Sequence, residues 1–493
     1  MHRSNGDASE RSITSGSDFL QLNVAEAPPG GLADWLTGRL RLAISGGALP
    51  VGSKLPATRV LAADLRVSRG VVTEAYQRLA EDGHIEGRGR AGTVVVAAPL
   101  PADARSNPGD RQVRAETDEL FENEPDSAVF DALRHTPSRI DLTPGVPELA
   151  AFPRAAWMRA ERTVLAELPS SGFGYGDPRG APALRAEVAD WLARNRGIRA
   201  SPDEVVIVAG TAQALALLTR VLHAGGIDAV AVEDPGSLGV RQHLRDGGMA
   251  TPPVPVDDQG VRVDALRASG APAVLLTPAH QFPMGVVLGG ERRRELMGWA
   301  EDGGLIIEDD YDAEHRYDRP PVAALRALLA EHVCYAGSVS KLLAPALRVG
   351  WVLVPSRYQE ALVAAKRYAD LGNAILPQLV LAELMRSGRL ERHLRMVRGR
   401  HRHRRDTMIA AIRAHLPGAV VHGAAAGLHL TVTFDAGMPD RDLAAAALAK
   451  GVKAQPLSWH RQRPGRPGLV LGYAASAPGE IAEGVATLGR LLR

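Results

Sequence analysis

Cysteine is almost missing from this chain: Cys334 stands alone. That excludes an intramolecular disulfide and any zinc site built from several thiolates. No apolar run reaches the roughly 18 residues that crossing a bilayer requires. The first residues, MHRSNGDASERSITSGSD, have no apolar core of the kind a secretory signal carries. A cytoplasmic protein is expected. An excess of either charge is missing too, since 58 Lys and Arg face 56 Asp and Glu. Whole-chain charge therefore gives no pointer to nucleic acid, and any basic patch must be local.

Lysine is scarce, at positions 54, 341, 366, 450 and 453 only, and arginine does the ordinary surface work. What is present is a long chain, 493 residues, of which 45% are hydrophobic and 23% charged. That composition supports a large buried core and two to four domains. Residues 1–27 are rich in Ser, Gly and Asp and are expected to be flexible. A compact pattern occupies 28–98. Residues 99–139 are rich in Pro, Asp and Glu and are expected to be an exposed linker that its own acidity keeps off nucleic acid phosphates. From 140 to 493, apolar runs such as VVIVAG (205–210), DAVAVEDPG (228–236), AVLLTPA (273–279), GLIIEDDY (304–311) and VCYAGSVSK (333–341) alternate with amphipathic stretches. Short apolar strands alternating with helices predict an α/β unit with a mainly parallel sheet covered on both faces.

In the compact N-terminal stretch, Leu32, Leu36, Leu40 and Ile44 fall at four-residue steps and predict one helix. A short helix over 57–65 follows, then a turn at Arg66 and Val67. Ser68 suits the N-cap of a third helix, whose buried stripe is Val71, Val72, Ala75, Tyr76 and Leu79 and which Gly83 ends. HIEGRGRAGTVVV reads as a hairpin with Arg88 and Arg90 at its tip. This is a winged helix-turn-helix order, and it would place the start of the third helix in a major groove. Arg59, Arg69, Arg88 and Arg90 could then neutralise phosphates or read guanine edges. A small helical interaction module with solvated arginines has the same periodicity. The stretch LPVGSKLPATRVLAADLRVSRGVVTEAYQRLAEDGHIEGRGRAGTVV resembles the GntR-type winged helix over essentially its whole length. That resemblance implies DNA contacts by Arg59, Ser68, Arg69, Val71, Thr73, Arg88, Gly92 and Thr93.

The large unit keeps one of its rare lysines in the tight context AGSVSKLLAPALRVGW. A lysine amine can form a Schiff base with an aldehyde cofactor, and pyridoxal 5'-phosphate (PLP) is such a cofactor. PLP also needs an acid for its ring nitrogen, a donor for its ring oxygen and a cradle for its phosphate. Asp309 and Tyr311 in LIIEDDYDAEHRY supply the first two. Ser338, Ser340 and Arg348 suit a dianionic phosphate. VIVAGTAQALALL reads as strand, glycine turn and helix start, which would aim the backbone N–H groups of Thr211, Ala212 and Gln213 at that phosphate. Other readings compete for the same residues. Asp309 and Asp310 after an apolar strand look like a Walker B strand, but no P-loop partners it. Glu308, Asp309, Asp310, Asp312 and His315 could hold a divalent cation. Ser338 to Lys341 matches S-x-x-K, without the companion motifs of serine acyl enzymes. The Arg/His cluster 389–406 reads as a solvated helix face with a possible role toward phosphates.

YGDPRGAPALR, VAGTAQALALL, VEDPG, HQFPMG, IEDDYDAEHRY and GSVSKLLAPALRVGW stand in the order of fold-type I aminotransferases. With the winged helix in front, the chain resembles the MocR/GabR group of GntR-family regulators. That resemblance implies that Lys341 carries the internal aldimine, Asp309 pairs the pyridine nitrogen and Tyr311 contacts the ring oxygen. It places His280 and Gln281 of HQFPMG among the cofactor-binding residues. It implies that Tyr175 reaches the phosphate of a neighbouring subunit, in a homodimer that is domain-swapped in the family. The implied function is regulation of transcription on double-stranded operator DNA, not catalysis.

Two departures bear on the effector. Amino-acid-processing relatives carry a carboxylate-binding arginine in the last strand, and here the matching place in GLVLGYAA holds Val470. Ser237 stands where relatives carry an aromatic on the cofactor ring, and Gly239 where a GABA-sensing relative has a second arginine. The expected effector is accordingly PLP itself, with control of vitamin B6 synthesis genes and of the regulator's own gene. A regulator sensing GABA, taurine or D-alanine, and a true aminotransferase, are the alternatives.

Overall fold

In the computed structural model, residues 31–87, 92–97 and 124–493 are described, apart from 318–321 and 436, together with 20, 22, 24–28, 89 and 120–122. The chain forms two compact units, Met1–Asn107 and Pro108–Arg493. The expected flexible start and most of the expected linker lie outside the described residues.

The N-terminal unit contains helix α1 (Leu32–Ser45), strand β1 (Lys54–Leu55), helices α2 (Thr58–Leu65) and α3 (Arg69–Glu81), and strands β2 (Ile85–Gly87) and β3 (Thr93–Val95). Its small sheet is antiparallel in the order β1-β3-β2. Leu36, Leu40 and Ile44 of α1 meet Leu61 of α2 and Val72, Ala75 and Leu79 of α3 in one core. The four-residue apolar spacing causes this packing by collecting those side chains on one face. Arg66 adopts the left-handed conformation, φ 54°, and closes α2. Ser68 caps α3, its Oγ accepting from the Val71 N–H at 3.5 Å. Gly83, at φ 79°, lets the chain turn back after α3.

The large unit is built on an eight-stranded sheet. Strand β4 (Ile140–Asp141) lies outside this sheet and pairs with Val452–Lys453. The strands of the sheet are β5 (Val206–Val208), β6 (Val230–Asp234), β7 (Pro253–Asp257), β8 (Gly260–Val261), β9 (Ala273–Leu276), β10 (Leu305–Asp310), β11 (Val333–Ser338) and β12 (Gly350–Leu353). The order is β5-β12-β11-β10-β9-β6-β7-β8. The five strands β11, β10, β9, β6 and β7 run parallel, whereas β12 is antiparallel to both its neighbours and β8 is antiparallel to β7. Two apolar cores, on either side of the sheet, use alternate residues of the same strands: Leu305 and Ile307 on one side, Ile306 on the other.

The alternating pattern does not continue to the C-terminus. Residues 420–472 instead form an antiparallel sheet, with Val420–His422, His429–Thr433, Gly468–Gly472 and Gln455–Pro456 paired in that order. The long helix Arg389–His415 and the helices Asp440–Ala449 and Pro478–Leu491 pack around it. The expected linker also ends earlier than 139. Phe121, and Val129 and Leu133 of the helix Val129–His135, are buried in the same core as Trp459 and Leu471. No helix among the described residues is long and apolar enough to cross a membrane.

Candidate functional site

The C-terminal ends of parallel strands bring the predicted side chains together, which is where open α/β sheets place their ligands. Asp309 stands at the end of β10, Ser338 at the end of β11, and Lys341 in the turn that follows. The Lys341 amine is turned inward and donates to the carbonyl of Gly145, 196 positions earlier. Burial lowers its pKa, against the pull of Asp312 and then Asp309. A lowered pKa makes the unprotonated amine, the form that attacks a carbonyl carbon, more accessible than in an ordinary lysine.

Asp309 is buried, and its Oδ1 has no hydrogen-bond partner. Burial first, then the charges of Asp310 and Asp312, push its pKa up to about 7, and Lys341 opposes them. Tyr311 donates its hydroxyl to the His280 carbonyl at 3.0 Å, and His280 Nδ1 lies 3.0 Å from the same oxygen. The phenol is pushed well above its ordinary value by burial and by the adjacent Asp312.

The helix Thr211–Ala224 starts after Gly210, whose φ of 81° suits only glycine. The Arg348 guanidinium donates to the Ala209 carbonyl, and a side chain at Gly210 would meet it at 3.3 Å. A cation thus borders a helix N-terminus, where the backbone N–H groups of Thr211 and Ala212 have no helical acceptor. Gln213 departs from the expectation. Its N–H donates to the Gly210 carbonyl at 3.1 Å, and its side chain bridges the Ala209 N–H and Asp370, both at 2.8 Å. Gln213 therefore fixes the turn instead of offering it a free donor. Ser340 is half-buried, and its N–H donates to Ser338 Oγ at 3.4 Å.

His280 and Gln281 are both buried. Gln281 Nε2 donates to the carbonyls of Pro235 and Phe282, which ties HQFPMG to the loop after β6. Tyr175 is not brought to these residues within the chain. It is 95% exposed and lines a groove of about 530 Å³ together with Asp370.

Pleating breaks up the expected cation set by turning Glu308 and Asp310 away from Asp309. Glu308 accepts from the N–H groups of Leu325 and Arg326, and Asp310 from Arg196 and, at 2.6 Å, from Tyr335. The sequence reading missed Gly145, and also the group His280, Asp312 and His429, whose ligand atoms lie within 4.8 Å of one another. Asp312 Oδ2 sits 2.9 Å from His280 Nδ1. The sequence marks Asp312 only among the acids of its own run and His280 only with the cofactor, and no local signal marks His429, which completes the group.

At the winged helix, Arg59, Ser68, Arg69, Thr73 and Gly92 are exposed, and Val71 and Thr93 half-buried. Arg39, Arg41 and Arg78 pair with Glu26, Asp82 and Asp34. Arg59 and Arg69 engage no carboxylate among the described residues, so their charge is free for a phosphate. Arg88 and Arg90 lie outside the described residues.

The model of bacterial regulatory proteins of the gntR family matches residues 32–95, and that of class I and II aminotransferases matches 138–459. The probable rhizopine catabolism regulatory protein MocR of Rhizobium meliloti is 33% identical over 91% of each chain. The pyridoxine biosynthesis transcriptional regulator PdxR of Corynebacterium glutamicum is 31% identical over 92% of this chain and 94% of its own. This chain belongs to the MocR group of GntR-family regulators.

Solved structures similar to the large unit include aminotransferases. The kynurenine aminotransferase of Pyrococcus horikoshii has TM-score 0.68 and 26% identity, covering 76% of this chain and 96% of its own. The α-aminoadipate aminotransferase LysN of Thermus thermophilus, complexed with N-(5'-phosphopyridoxyl)-L-leucine, has TM-score 0.66 and 28% identity with the same coverage. The cofactor of this MocR-group chain is PLP. The orphaned Oδ1 of Asp309 and the cation beside a free helix N-terminus fit its ring nitrogen and its phosphate. PLP supplies an aldehyde for a lysine amine and an electron-withdrawing ring. The residues present would hold it as follows: Lys341 offers the amine, Asp309 the acid, and Arg348 with Thr211 and Ala212 the phosphate cradle.

Proposed function

We propose that this MocR-group regulator takes PLP itself as its effector and controls vitamin B6 synthesis genes and its own gene. Binding at Lys341 would favour one arrangement of the winged helices over another, by an amount set by the differential affinity of the two states. The observation that carries this reading is Val470. It is fully buried in the strand Gly468–Gly472, opposite Thr431 and Gln455. Amino-acid-processing relatives carry their carboxylate-binding arginine at this place, and neither neighbour offers a cation for bidentate capture. The 31% identity with a regulator named for pyridoxine biosynthesis supports the same reading. The protein acts as a regulator, without turnover as an aminotransferase. It works as a homodimer, with the exposed Tyr175 directed at the phosphate of a second copy.

The test is an absorption titration of the full chain with PLP, followed by a panel of amino acids. The reading expects a Lys341-dependent visible band that no amino acid disturbs. A band that one amino acid shifts would move the effector to that amino acid, and sustained product formation with an amino donor and a keto acid would make the protein an enzyme. Sedimentation of the full chain as a monomer would overturn the dimer.

A further inference from the structure

Aromatic residues are only 4% of this chain, so a continuous file of them is not a default of composition. One file runs out from Tyr311. The Phe282 ring meets Tyr311 edge-on at 6.1 Å between centroids, and His460 edge-on at 5.0 Å. Phe130 stacks on His460 at 6.5 Å and meets Trp459 edge-on at 6.3 Å. Phe121 stacks on Trp459 at 5.3 Å, with 17° between the planes. These are the spacings at which ring pairs have preferred orientations.

The outer end of the file is the start of the large unit. Phe121 and the helix carrying Phe130 are where the described part of the large unit begins, on the winged helix's side along the chain. The middle of the file is pinned to the loop after β6. His460 Nδ1 lies 3.3 Å from the Leu238 N–H, and the His460 carbonyl accepts from Gly236 at 2.8 Å. The same loop is tied to Gln281 through the Pro235 carbonyl at 2.8 Å. A side chain on Gly239 would sit 3.6 Å from Phe130. Phe121, Leu238 and Trp459 are buried in one core. A close-packed interior passes a displacement on to its neighbours, because there is no free volume to absorb it.

We infer that the rings Tyr311, Phe282, His460, Phe130, Trp459 and Phe121 couple the cofactor site to the start of the large unit, so that PLP at Tyr311 biases the winged helices through Phe130 and Phe121. This rests on the PLP-responsive reading above. The rings couple the two sites only if their arrangement differs between the PLP-bound and PLP-free states. By reciprocity, operator DNA then changes PLP affinity by the factor by which PLP changes operator affinity.

The test uses the full chain and a duplex that the protein itself selects from a random pool. Operator affinity is measured with and without saturating PLP for the wild type, Phe130→Leu, Phe121→Leu and the ring-retaining Phe130→Tyr. A wild-type ratio of about 5–150 is the ordinary size of such coupling. The two Leu variants are expected to bring it to within about twofold of one, with the PLP affinity of the DNA-free protein unchanged, while Phe130→Tyr keeps it. A Leu variant with a lowered Tm but the wild-type ratio would mark the rings as packing alone and overturn the inference. So would loss of the ratio in Phe130→Tyr equal to that in Phe130→Leu. A wild-type ratio of one would refute the PLP-responsive reading itself, and the coupling with it.

Discussion

Replacing Asp309 with asparagine should stabilise the PLP-free protein while weakening its hold on PLP. Without PLP the carboxyl is buried, one oxygen is unpartnered, and its pKa rises from 3.8 to about 7. Between those values the folded chain keeps a proton that the unfolded chain has released. Stability therefore falls as pH rises from about 4 to about 7, and the whole cost is present above 7. At about 1.4 kcal/mol per pH unit that cost is about 4 kcal/mol. The amide introduced by Asp309→Asn leaves an unsatisfied buried donor, worth about 1–3 kcal/mol against it, so the net gain at pH 8 is about 2 kcal/mol. An unfolding entropy of about 2.1 cal/mol/K per residue gives the unit Pro108–Arg493 about 0.8 kcal/mol/K, hence a Tm about 2–3 °C higher. Near pH 5 most of the wild-type cost has gone and the advantage should vanish. Glu308 and Glu314 are also raised in pKa, but not by Asp309, so they are common to both proteins. Glu233 is raised in part by the Asp309 charge, and its relief in Asp309→Asn adds to the gain in the same direction. With PLP that gain is cancelled, since a charge-assisted hydrogen bond worth about 1.5–3 kcal/mol is lost, PLP binds about 10–100-fold more weakly, and the two proteins come within about 1 kcal/mol of each other. The assay is thermal unfolding at pH 5 and pH 8, with and without PLP. An Asp309→Asn Tm at or below the wild type in the PLP-free protein at pH 8 would refute the reasoning.

Lys341→Ala should abolish the visible band that forms on adding PLP, and a persisting band would move the attachment to another amine. Arg348→Gln should weaken PLP by about tenfold or more, the worth of a charge-assisted phosphate contact, and leave pyridoxal binding unchanged; an equal loss for both would remove Arg348 from the phosphate cradle. Arg69→Ala should weaken DNA binding and reduce the slope of log affinity against log salt by about one, whereas an unchanged slope would place it off the phosphates. Ser68→Ala should cost the N-terminal unit about 1 kcal/mol through the lost cap of α3, read by denaturant unfolding.

The winged helix was legible because its signals are local. Four-residue apolar steps, a serine cap and a glycine stop lie within a few residues of what they fix. The strands β5, β6, β9, β10 and β11 were legible as apolar runs with turn residues at their ends. The antiparallel sheet over 420–472 was not, because strand direction depends on pairing across long separations, which a run of apolar residues does not encode. The set Lys341, Asp309, Tyr311 and Arg348 could be named from chemistry and motif order. Its partners could not, since Gly145 meets Lys341 across 196 positions. The pleat that sends Glu308 and Asp310 away from Asp309 is a period-two fact already present in the sequence. Phe121, Val129, Phe130 and Leu133 were read as linker because acids and serines dilute them. Val129, Phe130 and Leu133 nevertheless stand at helical spacing.

The most direct test of the account is operator affinity of the full chain with and without PLP, on a duplex selected by the protein, repeated with Lys341→Ala. The account predicts that PLP changes the wild-type affinity, that Lys341→Ala removes the change, and that no amino acid reproduces it. An affinity indifferent to PLP, or one that responds only when an amino acid is added, would contradict it.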